Sequence, residues 1–198
     1  MTEPTTARSE LILGGQKSGK SRHAELKARA WLQAHPANRA LLIATAEPWD
    51  DEMADRIARH RVDRAARVPG LATLEEPRAL AEAIARHSRP ETLLVVDCLT
   101  LWLTNLLMPA EPASADADTD AVAAAEALAH AVRKAPGPVV LVSNEIGLGV
   151  IPMGREVRAF VDALGRLNQA LARACPRVTL MAAGLPLPLK DEAHAASD

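Results

Sequence analysis

Short apolar runs alternate along the chain with longer segments in which apolar residues recur every three or four positions. The short runs predict buried β-strands at 11–13, 40–45, 92–96, 139–143 and 178–182. The longer segments predict helices at 18–33, 50–64, 76–87, 119–134 and 155–174. Because strands that alternate with helices need crossover connections, the pattern predicts an α/β fold with a mainly parallel central sheet flanked by helices.

Two segments depart from this pattern. Residues 109–120 are rich in Pro, Ala, Ser and Asp, which predicts an acidic surface loop. The segment 185–198 contains prolines that cannot continue a helix. We therefore expect one domain over residues 1–198, in which 1–9 and 185–198 are loosely ordered tails.

Composition narrows the classes of function. The 198 residues carry 23 Lys and Arg against 25 Asp and Glu, a net charge of −2, which lacks the basic excess typical of nucleic-acid-binding proteins. No apolar stretch is long enough to span a membrane, and the polar N-terminal segment lacks a secretory signal, so a cytoplasmic location is expected. Cys98 and Cys175 lack metal-binding spacing and are predicted to be reduced thiols.

A glycine-rich loop follows the first predicted strand. Residues 14–21 match the pattern G-x-x-x-x-G-K-[ST] of a phosphate-binding loop between a strand and a helix. In such a loop, backbone N–H groups and the helix N-terminus bind phosphate oxygens, and Lys20 would reach the β- and γ-phosphates. The predicted nucleotide-binding residues are Gly14, Gly15, Gln16, Lys17, Ser18, Gly19, Lys20 and Ser21.

An acidic residue ends the apolar run at 92–96. Asp97 would lie at the carboxyl end of a parallel strand, where ligands bind in α/β folds. Together with Ser21, it is predicted to hold the Mg²⁺ that accompanies a nucleoside triphosphate. A helix cap is the alternative interpretation of the same aspartate.

The helix predicted at 50–64 combines a histidine with several charged residues. At 100° per residue, Arg56, His60, Asp63 and Arg64 share one face, so an imidazole lies among guanidinium groups. Cationic neighbours favour neutral imidazole, which is a nucleophile, and they would neutralise charge on a triphosphate. On these residues alone, an exposed histidine without a catalytic role is the alternative interpretation.

Together these segments resemble one family, the bifunctional adenosylcobinamide kinase and adenosylcobinamide-phosphate guanylyltransferase of cobalamin biosynthesis. The most specific match is D-D-E-M-x-x-R-I-x-x-H-[KR]-x-x-R at residues 50–64. The resemblance covers about residues 10–184, and its other matching segments lie at 14–21, 43–45, 73–75, 97–98, 104–107, 144–152 and 165–169.

The resemblance implies a three-layer P-loop NTPase fold of the RecA-like kind and a two-step enzyme. ATP or GTP would phosphorylate the aminopropanol hydroxyl of adenosylcobinamide, and GTP would then donate GMP to that phosphate. The products would be adenosylcobinamide-GDP and pyrophosphate. The resemblance also implies Mg²⁺ as cofactor, a guanylyl-histidine intermediate at His60 and a homotrimer.

By the same resemblance, segments outside the phosphate loop also line the nucleotide. Arg61 and Arg64 would hold its phosphates, and Glu75 would accept the N1–H and the exocyclic amine of guanine. Lys17 departs from the arginine usual in this family's loop, so it keeps the charge but lacks the bidentate guanidinium. The full set that the resemblance implies is Ile43, Ala44, Thr45, Arg61, Val62, Asp63, Arg64, Glu75 and Asp97.

Two other functions are compatible with the residues themselves. A P-loop small-molecule kinase without nucleotidyl transfer would use His60 and the nearby arginines only to stabilise the transferred phosphate, and its activity would not depend on His60. A nucleotide-dependent regulatory module would show slow hydrolysis and no dependence on a corrinoid. The segment at 144–152 is open to two interpretations, a strand-to-helix connection or a substrate contact.

Overall fold

The computed structural model describes residues 9–48, 50–108, 117–150 and 152–192, apart from the side chains of Glu52, Arg56, Ile57 and 117–120. The strands are β1 (Ser9–Gly14), β2 (Arg39–Ala44), β3 (Leu71–Glu75), β4 (Thr92–Asp97), β5 (Val139–Val142), β6 (Arg177–Ala182) and β7 (Leu185–Asp191). The helices are α1 (Lys20–Ala34), α2 (Asp51–Arg67), α3 (Leu80–His87), α4 (Leu99–Leu107), α5 (Ala117–Lys134) and α6 (Arg155–Ala174). None of the described helices is long and apolar enough to cross a membrane.

The strand that precedes the phosphate loop lies inside the sheet. The strand order is β3-β2-β4-β5-β1-β6-β7, with parallel pairings from β3 to β6 and an antiparallel β7. The register places both Ile12 of β1 and Asp97 of β4 opposite Val142 of β5. The carboxyl ends of β1, β4 and β5 therefore meet at one edge of the sheet, where ligands bind in such folds.

Two hydrophobic cores cover the two faces of the sheet. Because successive side chains of a strand point to opposite faces, Leu11 and Leu94 belong to a core with α3, α4, α5 and α6. Ile12 and Val95 belong to the other core, which includes buried alanines of α1. The sheet is thus the middle of three layers, and the predicted α/β class with a mainly parallel sheet is confirmed.

The predicted strands and helices are present, with shifts at their ends, but three elements were not predicted. β3 is an edge strand with mostly exposed side chains, so it lacks the apolar run typical of a buried strand. α4 begins at Leu99, almost directly after β4, with no glycine or proline to separate the two apolar segments. The third is β7, the antiparallel edge strand.

The acidic loop expected at 109–120 is wrong at its C-terminal end, because α5 begins at Ala117. Aspartates in the first turn of a helix interact favourably with the positive end of the helix dipole, so these acidic residues suit a helix start. Residues 109–116 lie outside the described part of the chain, as do residues 1–8 and 193–198 of the predicted tails.

The loosely ordered tail expected from residue 185 is also wrong for residues 185–191, which form β7. Pro186 and Pro188 are tolerated there because an edge strand pairs along only one side. Lys190 Nζ donates a hydrogen bond to the Cys175 carbonyl at 2.9 Å, and this contact ties β7 to the end of α6.

Both cysteines are free thiols. Burial raises the pKa of Cys98 and of Cys175 to about 11 in each case. Because the thiolate is the reactive form, both side chains are poor nucleophiles at neutral pH. The structure therefore agrees with the prediction that both are reduced thiols.

Gly137 lies where a side chain does not fit. A Cβ atom there would lie 1.9 Å from the Arg89 carbonyl oxygen and 2.7 Å from the Thr92 carbonyl oxygen. We expect Gly137→Ala to lower the free energy of unfolding by about 1–3 kcal/mol, because backbone atoms must move. Gly165→Ala is the matched control: its Cβ would meet nothing within 4 Å, and we expect alanine inside α6 to raise that free energy by about 0.5–1 kcal/mol. Urea unfolding curves should shift in opposite directions, and shifts of the same sign would contradict this packing.

Candidate active site

The turn between β1 and α1 has a conformation that requires glycine. The φ angles of Gly14 and Gly19 are 153° and 97°, and a Cβ at Gly14 would lie 2.5 Å from the Met181 carbonyl oxygen. No side chain caps the N-terminus of α1, and its first turn contains no acidic residue. The first N–H groups of this described helix are therefore available to phosphate oxygens.

Neighbouring segments hold the phosphate loop on both sides. The Glu145 N–H donates to the Gly14 carbonyl at 3.0 Å, and the Gly184 N–H donates to the Ser18 carbonyl at 3.1 Å. The loop tip at 15–17 is exposed to solvent. The loop is thus fixed at its base and open at its tip, as a phosphate site must be.

The side chain of Lys20, the first residue of α1, folds back onto the phosphate loop. Its side chain is buried, and its Nζ donates to the Gly15 carbonyl at 2.6 Å. Burial lowers the pKa of Lys20, whereas the neighbouring Cys98 and Asp97 side chains raise it. The ammonium is therefore held against the backbone of the loop, close to the end of β4.

Ser21 and Asp97, the two residues predicted to hold a metal, are in contact. Burial raises the pKa of the Asp97 carboxyl, and a hydrogen bond from the Ser21 hydroxyl lowers it. A hydroxyl and a carboxylate are oxygen donors of the kind that Mg²⁺ prefers, and Mg²⁺ usually keeps several waters and phosphate oxygens as its other ligands. No cluster of three or more His, Cys, Asp or Glu suited to a metal occurs among the described residues. The pair therefore fits Mg²⁺ that arrives with a nucleotide.

α2 brings His60 to the same edge of the sheet. Asp50 caps this helix by accepting a hydrogen bond from the Met53 N–H at 2.7 Å. The His60 side chain is exposed, and it lies close enough to Asp97 to lower the pKa of that carboxyl. The imidazole is therefore open to solvent, as a nucleophile must be, and its charge is felt at the end of β4.

A buried carboxylate of α1 binds two arginines of α2. Arg64 Nε lies 3.5 Å from Glu25 Oε1, and Arg67 forms a second ion pair with the other oxygen of Glu25. Glu25 is 3% exposed and Arg64 is 8% exposed. Arg64, which was predicted to hold nucleotide phosphates, is thus bound to protein in this structure.

The remaining predicted residues of α2 lie on its outer side. Arg61 forms an ion pair with Glu75 at the end of β3, and both side chains are more than half exposed. Val62 and Asp63 are exposed as well. Arg61 was predicted to bind phosphate and Glu75 to bind guanine. In the structure these two side chains bind each other.

The segment 43–45 contributes buried side chains. Ile43 is fully buried in the core. The Thr45 hydroxyl donates to the Cys98 carbonyl at 2.7 Å and accepts from the Cys98 N–H at 2.9 Å. Asn105 Nδ2 donates to the Thr45 carbonyl at 2.8 Å. The hydrogen bonds of Thr45 fix the carboxyl ends of β2 and β4, and Ile43 anchors the end of β2 in the core. Both side chains therefore support the site without facing it.

Two buried asparagines that support the site were not predicted to have a role, although their segments at 104–107 and 165–169 match the family pattern. Asn105 holds the end of β2 through the Thr45 carbonyl. Asn168 Nδ2 donates to the Asn144 carbonyl at 3.0 Å, and Asn168 Oδ1 accepts from the Ser143 hydroxyl at 2.7 Å. Both asparagines are buried polar residues within apolar helix faces, and that is the sequence signal for such supports.

The phosphate loop, the parallel sheet and the Ser21–Asp97 pair define a P-loop NTPase with the RecA-like arrangement of strands. The chain resembles the flagellar accessory protein FlaH of Methanocaldococcus jannaschii, with a TM-score of 0.50 and 11% identity over 94% of this chain and 79% of that chain. It also resembles a second solved structure, an ATPase domain, with a TM-score of 0.50 and 13% identity over 88% and 69%. At these identities the likeness concerns the fold.

Sequence relatives define the protein more closely. The family model described as cobinamide kinase / cobinamide phosphate guanyltransferase matches residues 10–189, so the chain belongs to this family. The bifunctional adenosylcobalamin biosynthesis protein CobP of Pseudomonas aeruginosa is 48% identical over 92% of this chain and 98% of its own length. The corresponding protein CobU of Escherichia coli is 37% identical over 91% and 98%. The chain is therefore a transferase of this family, as the resemblance implied.

Burial of Asp97 gives a prediction for stability. A carboxyl whose pKa is raised in the folded state binds more protons there than in the unfolded state, so stability falls as pH rises above its ordinary value of 3.8. Asparagine mimics the protonated form and relieves that cost. We therefore expect Asp97→Asn to raise the melting temperature at pH 7, by about 2–4 °C per kcal/mol relieved, and to change it little at pH 3.

Asp162→Asn serves as the control, because the Asp162 side chain is exposed on α6. Thermal unfolding followed by circular dichroism at the two pH values measures both variants. An Asp97→Asn protein that is less stable than the wild type at pH 7 would show that the buried carboxylate is a net stabilising group.

Proposed function

We propose that the chain phosphorylates adenosylcobinamide and then transfers GMP from GTP to the phosphate so formed, through a guanylyl intermediate on His60. The observation that carries this proposal is the position of His60 on α2, exposed and close to Asp97 at the phosphate loop. We propose that a nucleophile on this helix reaches the phosphorus atoms of the nucleotide that the loop binds. The family to which the chain belongs supports the identity of the substrates.

In the kinase step, the loop at 14–21 binds the triphosphate of ATP or GTP. The N–H groups at the start of α1 and the Lys20 ammonium face the phosphate oxygens and stabilise negative charge that shifts during transfer. The oxygen of the substrate hydroxyl forms a bond to the γ-phosphorus and its proton passes to solvent, while the bond to the bridging oxygen breaks and the nucleoside diphosphate leaves. Mg²⁺ held by Ser21 and Asp97 would neutralise charge on the phosphate oxygens when bound.

In the guanylyl step, neutral His60 attacks the α-phosphorus of GTP. A nitrogen–phosphorus bond forms, the bond to the bridging oxygen breaks, and pyrophosphate leaves. An oxygen of adenosylcobinamide phosphate then attacks the same phosphorus and releases the imidazole. Two displacements in one site allow pyrophosphate to depart before the bulky corrinoid phosphate enters.

Arg61 and Arg64 are proposed to hold the phosphates of GTP, and Glu75 is proposed to bind guanine. In the structure these side chains form ion pairs, Arg61 with Glu75 and Arg64 with Glu25. Guanine N1–H and its exocyclic amine suit a carboxylate, and adenine presents no such pair of donors. If guanine displaces Arg61 from Glu75 when the nucleotide binds, the site would favour GTP over ATP.

The other nucleotide-binding residues are proposed on the same basis as these. Val62 and Asp63 belong to the outer side of α2, and the segment 43–45 contributes through its backbone and Ala44.

We further propose a homotrimer in the cytoplasm, supported by the family resemblance. The near-neutral charge supports the absence of a nucleic-acid partner.

The guanylyl intermediate is tested with GTP labelled at either phosphate. The protein is incubated with Mg²⁺ and GTP labelled at the α- or the γ-phosphorus, and acid-labile, alkali-stable label on the protein is measured. We expect label from the α-position alone in the wild type and none in His60→Ala, because only a nitrogen–phosphorus bond to GMP retains that phosphorus.

His130→Ala is the matched control, because His130 is an exposed histidine of α5. We expect it to take up label like the wild type. A wild type that phosphorylates adenosylcobinamide but takes up no α-label would favour the P-loop kinase without nucleotidyl transfer. Engagement of both arginines by carboxylates in the structure is the observation that favours this second function.

A further inference from the structure

We propose that Glu25 is a positioning residue for the guanylyl step, because it fixes α2, and with it His60, against the helix of the phosphate loop. This inference rests on the proposed role of His60 as nucleophile. Glu25 would not touch the nucleotide. It would act through Arg67, which has no proposed contact with the nucleotide, and through Arg64 until GTP binds.

α2 lacks the apolar attachment typical of a helix packed on a sheet. Among its described side chains, Arg64 is the one that is buried, while Asp51, Ala58, Arg59 and His60 are examples of the many that are exposed. Val68, which follows the helix, is buried at its C-terminal end. The described contacts of α2 side chains with the rest of the protein are therefore dominated by ion pairs, to Glu25 and to Glu75.

Helix geometry links the ion pair to the nucleophile. Glu25 follows Ser21 by four positions on α1, and Arg64 follows His60 by four positions on α2. Residues four apart lie on one face of a helix, about 6 Å from each other along the axis. The Glu25–Arg64 contact therefore lies one helical turn from Ser21 on α1 and one helical turn from His60 on α2.

The ion pair of the neighbouring residue Arg61 supports this arrangement. Arg61 pairs with Glu75 at the end of β3, so the turn of α2 that carries His60 lies at the carboxyl edge of the sheet. A rotation or shift of α2 would change the distance from His60 to the phosphate loop.

Burial makes Glu25 a strong attachment. With 3% of its surface exposed, this carboxylate depends on its arginines for the interactions that water would otherwise supply. Removing one member of such a pair leaves the other charge buried and uncompensated. Glutamine at position 25 keeps the size of the side chain and removes the charge that holds Arg64 and Arg67.

Charge and position predict opposite results for this variant. Loss of a negative charge close to a phosphate site would, through charge alone, strengthen GTP binding and speed attack on the α-phosphorus. Loss of the attachment would let His60 move away from the line of attack, and a displacement of about 1 Å in an active site can cost 10²-fold in rate. The direction of the change therefore separates the two effects.

The experiment compares Glu25→Gln with the wild type in both reactions. One assay measures the single-turnover rate of α-label transfer from saturating GTP to the protein, and the other measures phosphorylation of adenosylcobinamide. We expect Glu25→Gln to lower the labelling rate about 10- to 100-fold, with the kinase rate within about threefold of the wild type and KM for GTP unchanged or lower. Glu25→Asp, which keeps the charge at a shorter reach, should recover part of the labelling rate.

Glu10→Gln is the matched control for loss of a buried carboxylate. Glu10 belongs to β1 and is 4% exposed. Its Oε2 lies 2.8 Å from Nζ of Lys27 on α1, and its Oε1 accepts a hydrogen bond from the Thr179 hydroxyl at 2.7 Å. Its partners do not belong to α2, so the two rates should keep their wild-type ratio. Circular dichroism gives the folded fraction by which all rates are normalised.

A labelling rate in Glu25→Gln equal to that of the wild type would overturn the inference, and so would a parallel fall of both activities or the same selective loss in Glu10→Gln. If Glu25→Gln does not fold, Glu25→Asp decides: a selective loss of labelling supports the inference, and wild-type labelling overturns it. A wild type that takes up no α-label overturns the proposed function and this inference together, whereas a labelled wild type with an unaffected Glu25→Gln overturns the inference alone.

Discussion

The hydrogen bond between the half-buried Asp97 carboxyl and the Ser21 hydroxyl, close to Lys20, is the interaction on which the rest of the site depends. Burial disfavours both charges, since it raises the pKa of the carboxyl and lowers the pKa of the ammonium. Their mutual attraction and the Ser21 hydroxyl compensate part of that cost. The edge of a parallel sheet is the place where these groups can meet, because β1 and β4 end there on either side of β5. A nucleotide with its metal ion brings charges of both signs to the same place.

The two helices on this face of the sheet are attached in different ways. α1 packs buried alanines against the sheet, whereas the described side chains of α2 are held mainly through ion pairs. A nucleotide does not compete with apolar packing, but its phosphates can replace carboxylates as partners of guanidinium groups. The proposed substrate therefore competes for Arg61 and Arg64 but not for Arg67, which also binds Glu25. Apolar attachment of the loop helix keeps the phosphate site itself unaffected by that competition.

The sequence allowed prediction of those features that depend on local pattern. Alternation of apolar runs and helical segments predicted the layers, and the loop at 14–21 and the segment at 50–64 predicted the elements of the site. Pairings between distant residues were not predictable: Glu25 and Arg64 are each one charged residue among many on a helix, and only the fold brings them together. β7 was missed because prolines suggest a break, although an edge strand accommodates them.

The position of β1 inside the sheet makes the phosphate loop depend on contacts with distant parts of the sequence. Its hydrogen-bonded neighbours, β5 and β6, come from the second half of the chain, and the N–H groups of Glu145 and Gly184 hold the loop that follows it. Contacts between segments so far apart in sequence form slowly, since a long loop must close before they contribute. The phosphate-binding turn, which lies early in the sequence, is thus held by segments that lie late in the sequence. Nucleotide affinity gained during folding would report the arrival of the last strands.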